Sequence, residues 1–99
     1  MQYQLRIYTI KPDGMADWVR EWHDWIAPLR RKHGFEVVGA WTIDGSDRFV
    51  WILAYSGSKS WQQAEADYYT SIERTHMAPD PARHIDQSDQ WLMHTISSD

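Results

Sequence analysis

The sequence contains no cysteine, which excludes disulfide bonds, zinc–thiolate sites and thiol nucleophiles. It also lacks a long apolar run, since the longest, Phe49–Tyr55, falls far short of the roughly 20 residues that a membrane-spanning helix requires. Met1–Arg6 does not place a basic segment before an apolar one, so no signal peptide is expected there. These features favour a cytoplasmic protein without a membrane partner.

A basic surface is missing as well. The formal net charge is −4, and the one cluster of cations, Arg30–Lys32, ends a predicted helix, where the helix dipole favours positive charge. We therefore interpret this cluster as a helix cap. Because an acidic chain without a basic face binds phosphate backbones poorly, no nucleic-acid partner is expected.

Several catalytic signatures are absent from the sequence. It contains no nucleophile elbow, phosphate-binding loop or dinucleotide fingerprint. No pair among the five histidines has the spacing of a helical metal motif, and no carboxylate pair stands out. We therefore expect neither nucleotide chemistry nor metal-assisted hydrolysis, and we assign no metal site and no cofactor from these patterns.

Large aromatic side chains are what the sequence has in excess. Seven tryptophans and five tyrosines occur among 99 residues, and each can bury about 150–250 Å². They must line a core, an interface or a ligand pocket. A chain of this length predicts one domain, residues 1–99, with a single modest core.

The strands are predicted from alternating β-forming residues. They are Tyr3–Ile10, Phe35–Ile43, Arg48–Tyr55 and Gln87–Ile96. Residues 97–99 are predicted to be a tail. Asp44-Gly45 is a strong hairpin signal between the two middle strands.

The first helix is predicted from Met15 to about His33, with Asp13 as N-cap, Gly34 as stop and Pro28 as a kink or boundary. Its apolar stripe consists of Met15, Trp18, Val19, Trp22, Ile26 and Leu29.

The second helix is predicted to begin with a capping box, Ser60 and Gln63, and to run to about Ile72. Its stripe consists of Trp61, Ala64, Tyr68 and Ile72. A further helical turn is predicted at Glu73–Met77. The order βαββαβ predicts an α+β, ferredoxin-like fold, with both helices on one face of a four-stranded antiparallel sheet.

Both faces of this sheet are predicted to be apolar. A hairpin loop of two or four residues places Val37, Gly39, Trp41, Val50, Ile52 and Ala54 on one face. It places Val38, Ala40, Thr42, Phe49, Trp51, Leu53 and Tyr55 on the other. The two helices cover only one face, and the sequence does not say which. A second copy of the sheet is the simplest cover for the other, so a homodimer is expected; the alternative is a distorted sheet that buries its second face in part.

Five segments together resemble the NIPSNAP family across nearly the whole chain. They are Tyr3–Gly14, Pro28–Phe35, Val38–Trp41, Arg48–Tyr55 and Pro79–Ile85. The resemblance implies a dimeric α+β barrel, in which two ferredoxin-like sheets pack face to face. That fold hosts cofactor-free monooxygenases, haem-degrading enzymes, isomerases, cyclases and binding proteins, with the ligand pocket between sheet and helices. Gln4 stands where the resemblance leads us to expect an acidic residue.

Polar residues are the candidates for chemistry. Arg6 and Tyr8 share one face of the first strand, and a buried arginine needs an acceptor, either a carboxylate such as Glu36 or Asp67 or a ligand. Arg83 and His84 follow a proline turn and could bind a carboxylate or enolate. The alternative is that Arg83 anchors the loop or bridges to a partner subunit.

The walls of a pocket are assigned to aromatic residues. Trp22, Trp51 and Tyr69, together with His23 beside the first helical stripe, are candidate ligand-binding residues for a flat hydrophobic compound. The leading hypothesis is a small-molecule enzyme or binding protein, cofactor-free, that performs proton transfer, cyclisation or oxygenation. A haem protein, for which the resemblance implies His76 as axial ligand, and a non-catalytic dimerisation module are the alternatives.

Overall fold

The computed structural model describes residues 1–96; the tail predicted at 97–99 lies outside the described residues. The sheet is antiparallel, has four strands and follows the order β2-β3-β1-β4. This order confirms the predicted ferredoxin-like α+β fold. The elements are β1 (Gln2–Ile10), α1 (Met15–Glu21), a π-helical segment (Trp22–Ile26), α2 (Ala27–Lys32), β2 (Phe35–Thr42), β3 (Arg48–Tyr55), α3 (Trp61–Thr70), α4 (Ile72–Thr75), a 3₁₀ turn (Pro81–His84) and β4 (Ile85–Met93).

The fourth strand is the element whose predicted bounds were wrong. It begins at Ile85, opposite Ile10 of β1, and ends at Met93, whereas the prediction was Gln87–Ile96. Its residues are mostly polar and exposed, so hydrophobic alternation gives little information about where it begins and ends.

The first helix runs through Pro28 without a break. A π-helical segment directly precedes α2, and the N–H of Ala27 donates to the carbonyl of Trp22. Pro28 has no N–H and so cannot donate a helical hydrogen bond. The wider π-helical turn before it lets the helix continue although this bond is missing. Asp13 was predicted to be the N-cap, and this was wrong. It adopts a positive φ of 63°, and Gly14 occupies the cap position.

The second helix shows one half of the predicted capping box. The Ser60 hydroxyl accepts from the N–H of Gln63, whereas the Gln63 side chain donates to Asp67. The helix ends at Thr70, and a kink at Ser71 separates it from α4. The kink turns Ile72 outward, where it is 74% exposed, so its predicted place on the buried stripe was wrong. None of the helices described in residues 1–96 is long and apolar enough to cross a membrane.

The helices cover the sheet face that carries Arg6, Tyr8, Phe49, Trp51 and Leu53, all of them buried. The hairpin loop is four residues long, because Ile43 and Arg48 still share a backbone hydrogen bond. The predicted assignment of residues to the two faces of the sheet therefore holds for most positions of β2 and β3.

A β-bulge changes the parity at the start of β2. The register shifts between Val37 and Gly39, so Val37 lies opposite Leu53 and joins the helix-covered face. Its predicted assignment to the other face was wrong, since a bulge adds one residue to a strand and nothing in the local sequence indicates one here.

The opposite side of the sheet, which we call the open face, is apolar along its two central strands. Its apolar residues are Tyr3, Leu5, Ile7, Gly39, Trp41, Val50, Ile52, Ala54, Trp91 and Met93, and the two edge strands add Glu36 and Asp89. Trp41 and Trp91 are each 51% exposed in the single chain. No described helix packs over these residues, in agreement with the prediction of two apolar faces.

Candidate functional site

A small cavity of about 120 Å³ lies between the sheet and the helices. Strand β1 contributes Arg6 and Tyr8, β3 contributes Trp51, and α3 contributes Tyr68 and Tyr69. The remaining lining residues come from the first helix, α4, the 3₁₀ turn and β4; they are Trp18, Ile26, Arg30, Arg74, Ala82, Ile85 and Ser88. Several elements distant in sequence thus converge on one polar and aromatic site.

Arg6 is at the centre of the hydrogen-bond network beside this cavity and is only 5% exposed. Its Nε donates to the hydroxyl of Tyr8 at 2.8 Å, and its Nη1 donates to Gln4 Oε1 at 2.9 Å. Its Nη2 donates to the hydroxyl of Tyr69 at 2.9 Å. Glu65 Oε2 lies 3.4 Å from Nη1 and is the carboxylate partner of Arg6 among the described residues.

Arg30 is the second buried cation, and it is 1% exposed. It pairs with the same carboxylate, Glu65, and donates to Tyr69 at 3.2 Å. Its guanidinium lies over the ring of Tyr68, 3.8 Å from the centroid. Two buried arginines therefore share one carboxylate and one phenol oxygen, while aromatic faces supply further stabilisation of the positive charge.

Burial and neighbouring groups set the protonation states here. Burial raises the pKa of Tyr8 above its ordinary value and that of Tyr68 to about 12, so both are neutral phenols at neutral pH. Burial opposes the charge of Arg6, but the oxygens of Tyr8, Tyr69 and Glu65 outweigh it and raise the Arg6 pKa. The site therefore presents fixed positive charge beside neutral hydroxyl groups.

Four of the predicted site residues meet at this cavity: Arg6, Tyr8, Trp51 and Tyr69. The predicted carboxylate partners of Arg6 were wrong. Glu36 lies opposite Ala54, on the open face, and Asp67 pairs with Lys59 at the surface. The partner is Glu65, which the helix turns toward the sheet.

Arg83 and His84 form a separate cluster around Glu21. Arg83 donates to both carboxylate oxygens of Glu21, at 2.8 and 2.9 Å, and His84 Nε2 lies 3.1 Å from Oε2. Glu21 is 1% exposed, and hydrogen bonds from Arg83 and His84 lower its pKa despite burial. The geometry favours the alternative in which Arg83 anchors its loop, here to the first helix.

This cluster predicts a pH-dependent contribution to stability. Glu21→Gln should lower the free energy of unfolding at pH 7 by about 2 kcal/mol, since hydrogen bonds to a charged group are lost. A lowered native pKa means that the contribution is complete above the unfolded value of 4.5 and disappears as the pH falls through the native value. Urea unfolding at several pH values measures this.

Asp17→Asn is the matched control, because Asp17 pairs with Arg20 at the exposed surface. It should change stability little at any pH. An equal loss of stability for Glu21→Gln at pH 7 and at pH 3 would contradict the assigned role of the Glu21 carboxylate.

The other predicted site residues lie outside the cavity. Trp22 and His23 line a groove at the β2 side of the sheet, where His23 is exposed and bonds to Asp24 at 3.0 Å. His76 lies in an outer groove of about 460 Å³ with Trp25 and Met77. The structure therefore separates these three residues from Arg6 and Tyr69.

Sequence reasoning missed Arg30, Glu65, Arg74 and Glu21. Arg30 was interpreted as part of a helix cap, yet it lies four residues after Ile26 and shares the helical stripe that faces the sheet. That spacing was the available signal. The sequence contains no such signal for Glu65 and Arg74, because isolated polar residues on a helix are ordinarily solvated.

Solved structures of other proteins share this fold. A NIPSNAP domain protein from Burkholderia xenovorans has a TM-score of 0.85 at 13% identity, covering 99% of this chain and 97% of its own. A NIPSNAP family protein from Agrobacterium tumefaciens has a TM-score of 0.87 at 11% identity, covering 99% and 88%. A structure described as an antibiotic biosynthesis monooxygenase has a TM-score of 0.72 at 15% identity, covering 98% and 100%. Identities this low show the fold alone.

Sequence comparison provides the family. No curated protein matches the chain significantly. The sequence profile of NIPSNAP matches residues 3–94, which is nearly the whole chain. The chain therefore belongs to the NIPSNAP family.

Proposed function

We propose that the protein binds a small hydrophobic or aromatic compound in the cavity between sheet and helices and converts it without a cofactor. The observation that carries this proposal is the convergence of buried Arg6 and Arg30 with Tyr8, Tyr69 and Trp51 around one cavity. Charged groups are costly to bury, and such clusters beside apolar walls are typical of ligand sites.

The site is suited to chemistry at an oxygen-substituted planar carbon. Neutral Tyr8 can donate a proton or a hydrogen bond, and Arg6 and Arg30 supply positive charge in a water-poor environment, where a developing enolate is stabilised most. Proton transfer, cyclisation or oxygenation by molecular oxygen would each pass through such an anion. The fold shared with an antibiotic biosynthesis monooxygenase supports this class of reaction.

The cavity volume limits the ligand. An apolar cavity of roughly 150 Å³ binds benzene. The cavity here, of about 120 Å³, is similar in size and suits a ligand built on one small ring. A larger substrate would have to extend toward solvent past Tyr69, which is 41% exposed.

A cavity-filling variant tests the proposal. Ligand-observed NMR with a set of single-ring aromatic compounds should detect binding to the wild type. Ala82→Leu, which places a larger side chain at the cavity wall, should weaken that binding at least about tenfold. Ala66→Leu is the control, on the exposed side of α3. Equal binding to both variants, or none to the wild type, would exclude this cavity as the ligand site.

A homodimer is the second part of the proposal. The open face exposes Trp41 and Trp91, and burying such side chains contributes about 25 cal/mol per Å². Four strands about 4.8 Å apart and eight residues of about 3.4 Å each form a face of roughly 500 Å². Two such faces approach the roughly 1,000 Å² that a specific interface needs. A second copy of the sheet is the self-complementary partner that supplies this area.

Haem binding remains a second candidate because of one contact of His76. Its Nδ1 lies 2.8 Å from the carbonyl of Ile72; when Nδ1 donates there, Nε2 is left as the metal-ligating atom. The inner cavity is too small for a porphyrin, so His76 would hold haem in the outer groove with Trp25 and Met77. A hemin titration that shifts the Soret band in the wild type but not in His76→Ala would favour this candidate; no shift would remove it.

A further inference from the structure

The cavity wall carries more positive than negative charge. Arg6, Arg30 and Arg74 all line it, whereas the carboxylates that pair with them are Glu65, shared by the first two, and Asp80, 3.1 Å from Arg74. The Asp80 side chain is 56% exposed, so solvent screens it. The cavity wall therefore has a local excess of positive charge, although the formal net charge of the whole chain is −4.

The cavity also has hydrogen-bond donors without acceptors. Among the described residues, the Nε atoms of Arg30 and Arg74 are buried and donate to no protein atom. The hydroxyls of Tyr8 and Tyr69 accept from arginine, and a guanidinium cannot accept in return. Their own protons meet no acceptor among the bonds of residues 1–96. Leaving the buried Tyr8 and the two buried Nε groups without acceptors is costly, whereas Tyr69, 41% exposed, can also donate to solvent. A ligand rich in acceptors would therefore stabilise the site.

The aromatic lining of the cavity favours a flat acceptor. The ring of Trp51 belongs to its wall, and the rings of Tyr68 and Tyr69 meet edge to face at 79°, with centroids 5.0 Å apart. Aromatic walls favour planar ligands. Fully hydrated spherical anions lack the apolar surface that these walls would bury.

We infer that the ligand is a planar organic anion whose carboxylate or enolate oxygens accept hydrogen bonds from Tyr8, Tyr69, Arg30 and Arg74. This inference deepens the proposed function and rests on it. The shared chemistry is an oxyanion attached to an sp² carbon. Long-range steering does not select this ligand, because the chain as a whole is acidic; the selection is made by the donors within the cavity.

The experiment compares a charged with a neutral ligand of the same shape. Isothermal titration calorimetry in a chloride-free buffer should show that benzoate binds at least about tenfold more tightly than benzamide. A cyclic 1,3-diketone, present as its enolate, serves as the second anion. Preference for either anion over benzamide supports the inference, and the tighter of the two identifies the oxyanion class.

Two variants should change benzoate affinity in opposite directions. Arg74→Met removes a cation from the wall and should weaken benzoate binding about tenfold. Glu65→Gln removes the shared carboxylate and should tighten it several-fold. Benzamide affinity should change little in either. Lys59→Met is the control, because Lys59 pairs with Asp67 at the surface and does not line the cavity. Circular dichroism establishes that each variant is folded.

The outcomes separate this inference from the proposed function. If neither benzoate nor the diketone enolate binds more tightly than benzamide, the anion assignment is overturned and a ligand cavity is left. No affinity for any single-ring compound would overturn both. Should Glu65→Gln not fold, Arg74→Met alone decides: unchanged benzoate affinity in that variant contradicts the inference.

Discussion

Ile52→Arg is expected to convert a dimeric protein into a monomer of 11.8 kDa. Ile52 lies on the central strand β3, opposite Leu5 and Gly39 on the open face. In a face-to-face dimer, this arginine would be buried without a partner, at a cost of several kcal/mol per subunit. Sedimentation velocity at low micromolar concentration measures the change in mass.

Ile72→Arg provides the matched control. It makes the same chemical change at a residue that is 74% exposed on α4, on the helical side of the molecule. It should leave the mass of the protein unchanged. A wild type that sediments as a monomer at every concentration would contradict the dimer; so would an Ile52→Arg protein that still sediments as a dimer.

Glu65→Ala should cause the largest loss of stability at the candidate site. The carboxylate of Glu65 is shared by Arg6 and Arg30, whose side chains are 6% and 1% exposed. Removing it leaves two buried cations without an anion, which costs about 3–5 kcal/mol. That is a large part of the total stability of a small domain. Urea unfolding followed by tryptophan fluorescence measures the difference.

The adjacent ion pair supplies the control for this variant. Asp67 is also on α3 and pairs with Lys59 at the surface, where ion pairs contribute little. Asp67→Ala should therefore leave the unfolding midpoint nearly unchanged. Equal stabilities of the two alanine variants would show that Glu65 does not balance the buried arginines. Benzoate should also raise the melting temperature of Glu65→Gln more than that of the wild type.

The fold was largely predictable because the spacing of hydrophobic residues indicates which elements form and which of their sides are buried. The stripe of the first helix identified Trp18, Trp22 and Ile26 as buried, and all three are. Strand β3 is apolar on both sides, with Trp51 under the helices and Ile52 on the open face. Those alternating residues were enough to predict the two-faced sheet.

The site was predictable only where strand geometry decides it. Arg6 and Tyr8 had to share a face because strand residues two apart always do. Arg30 was missed because it stands in a run of three cations at a helix end, where solvated side chains are expected. Its neighbours Arg31 and Lys32 are indeed exposed, but Arg30 is not. Glu65 approaches both arginines only through the packing of α3 on the sheet, which no local pattern encodes. The same holds for the bulge that moves Val37.

Direct observation of a bound compound tests the central claim that the cavity between sheet and helices is the functional site. The protein should be purified from its native host without refolding, analysed by native mass spectrometry, and crystallised in the same state. We expect a bound planar compound with an oxygen atom within hydrogen-bond distance of Tyr69 and of Arg30 or Arg74. A compound located instead in the outer groove beside Trp25 and His76 would contradict the claim.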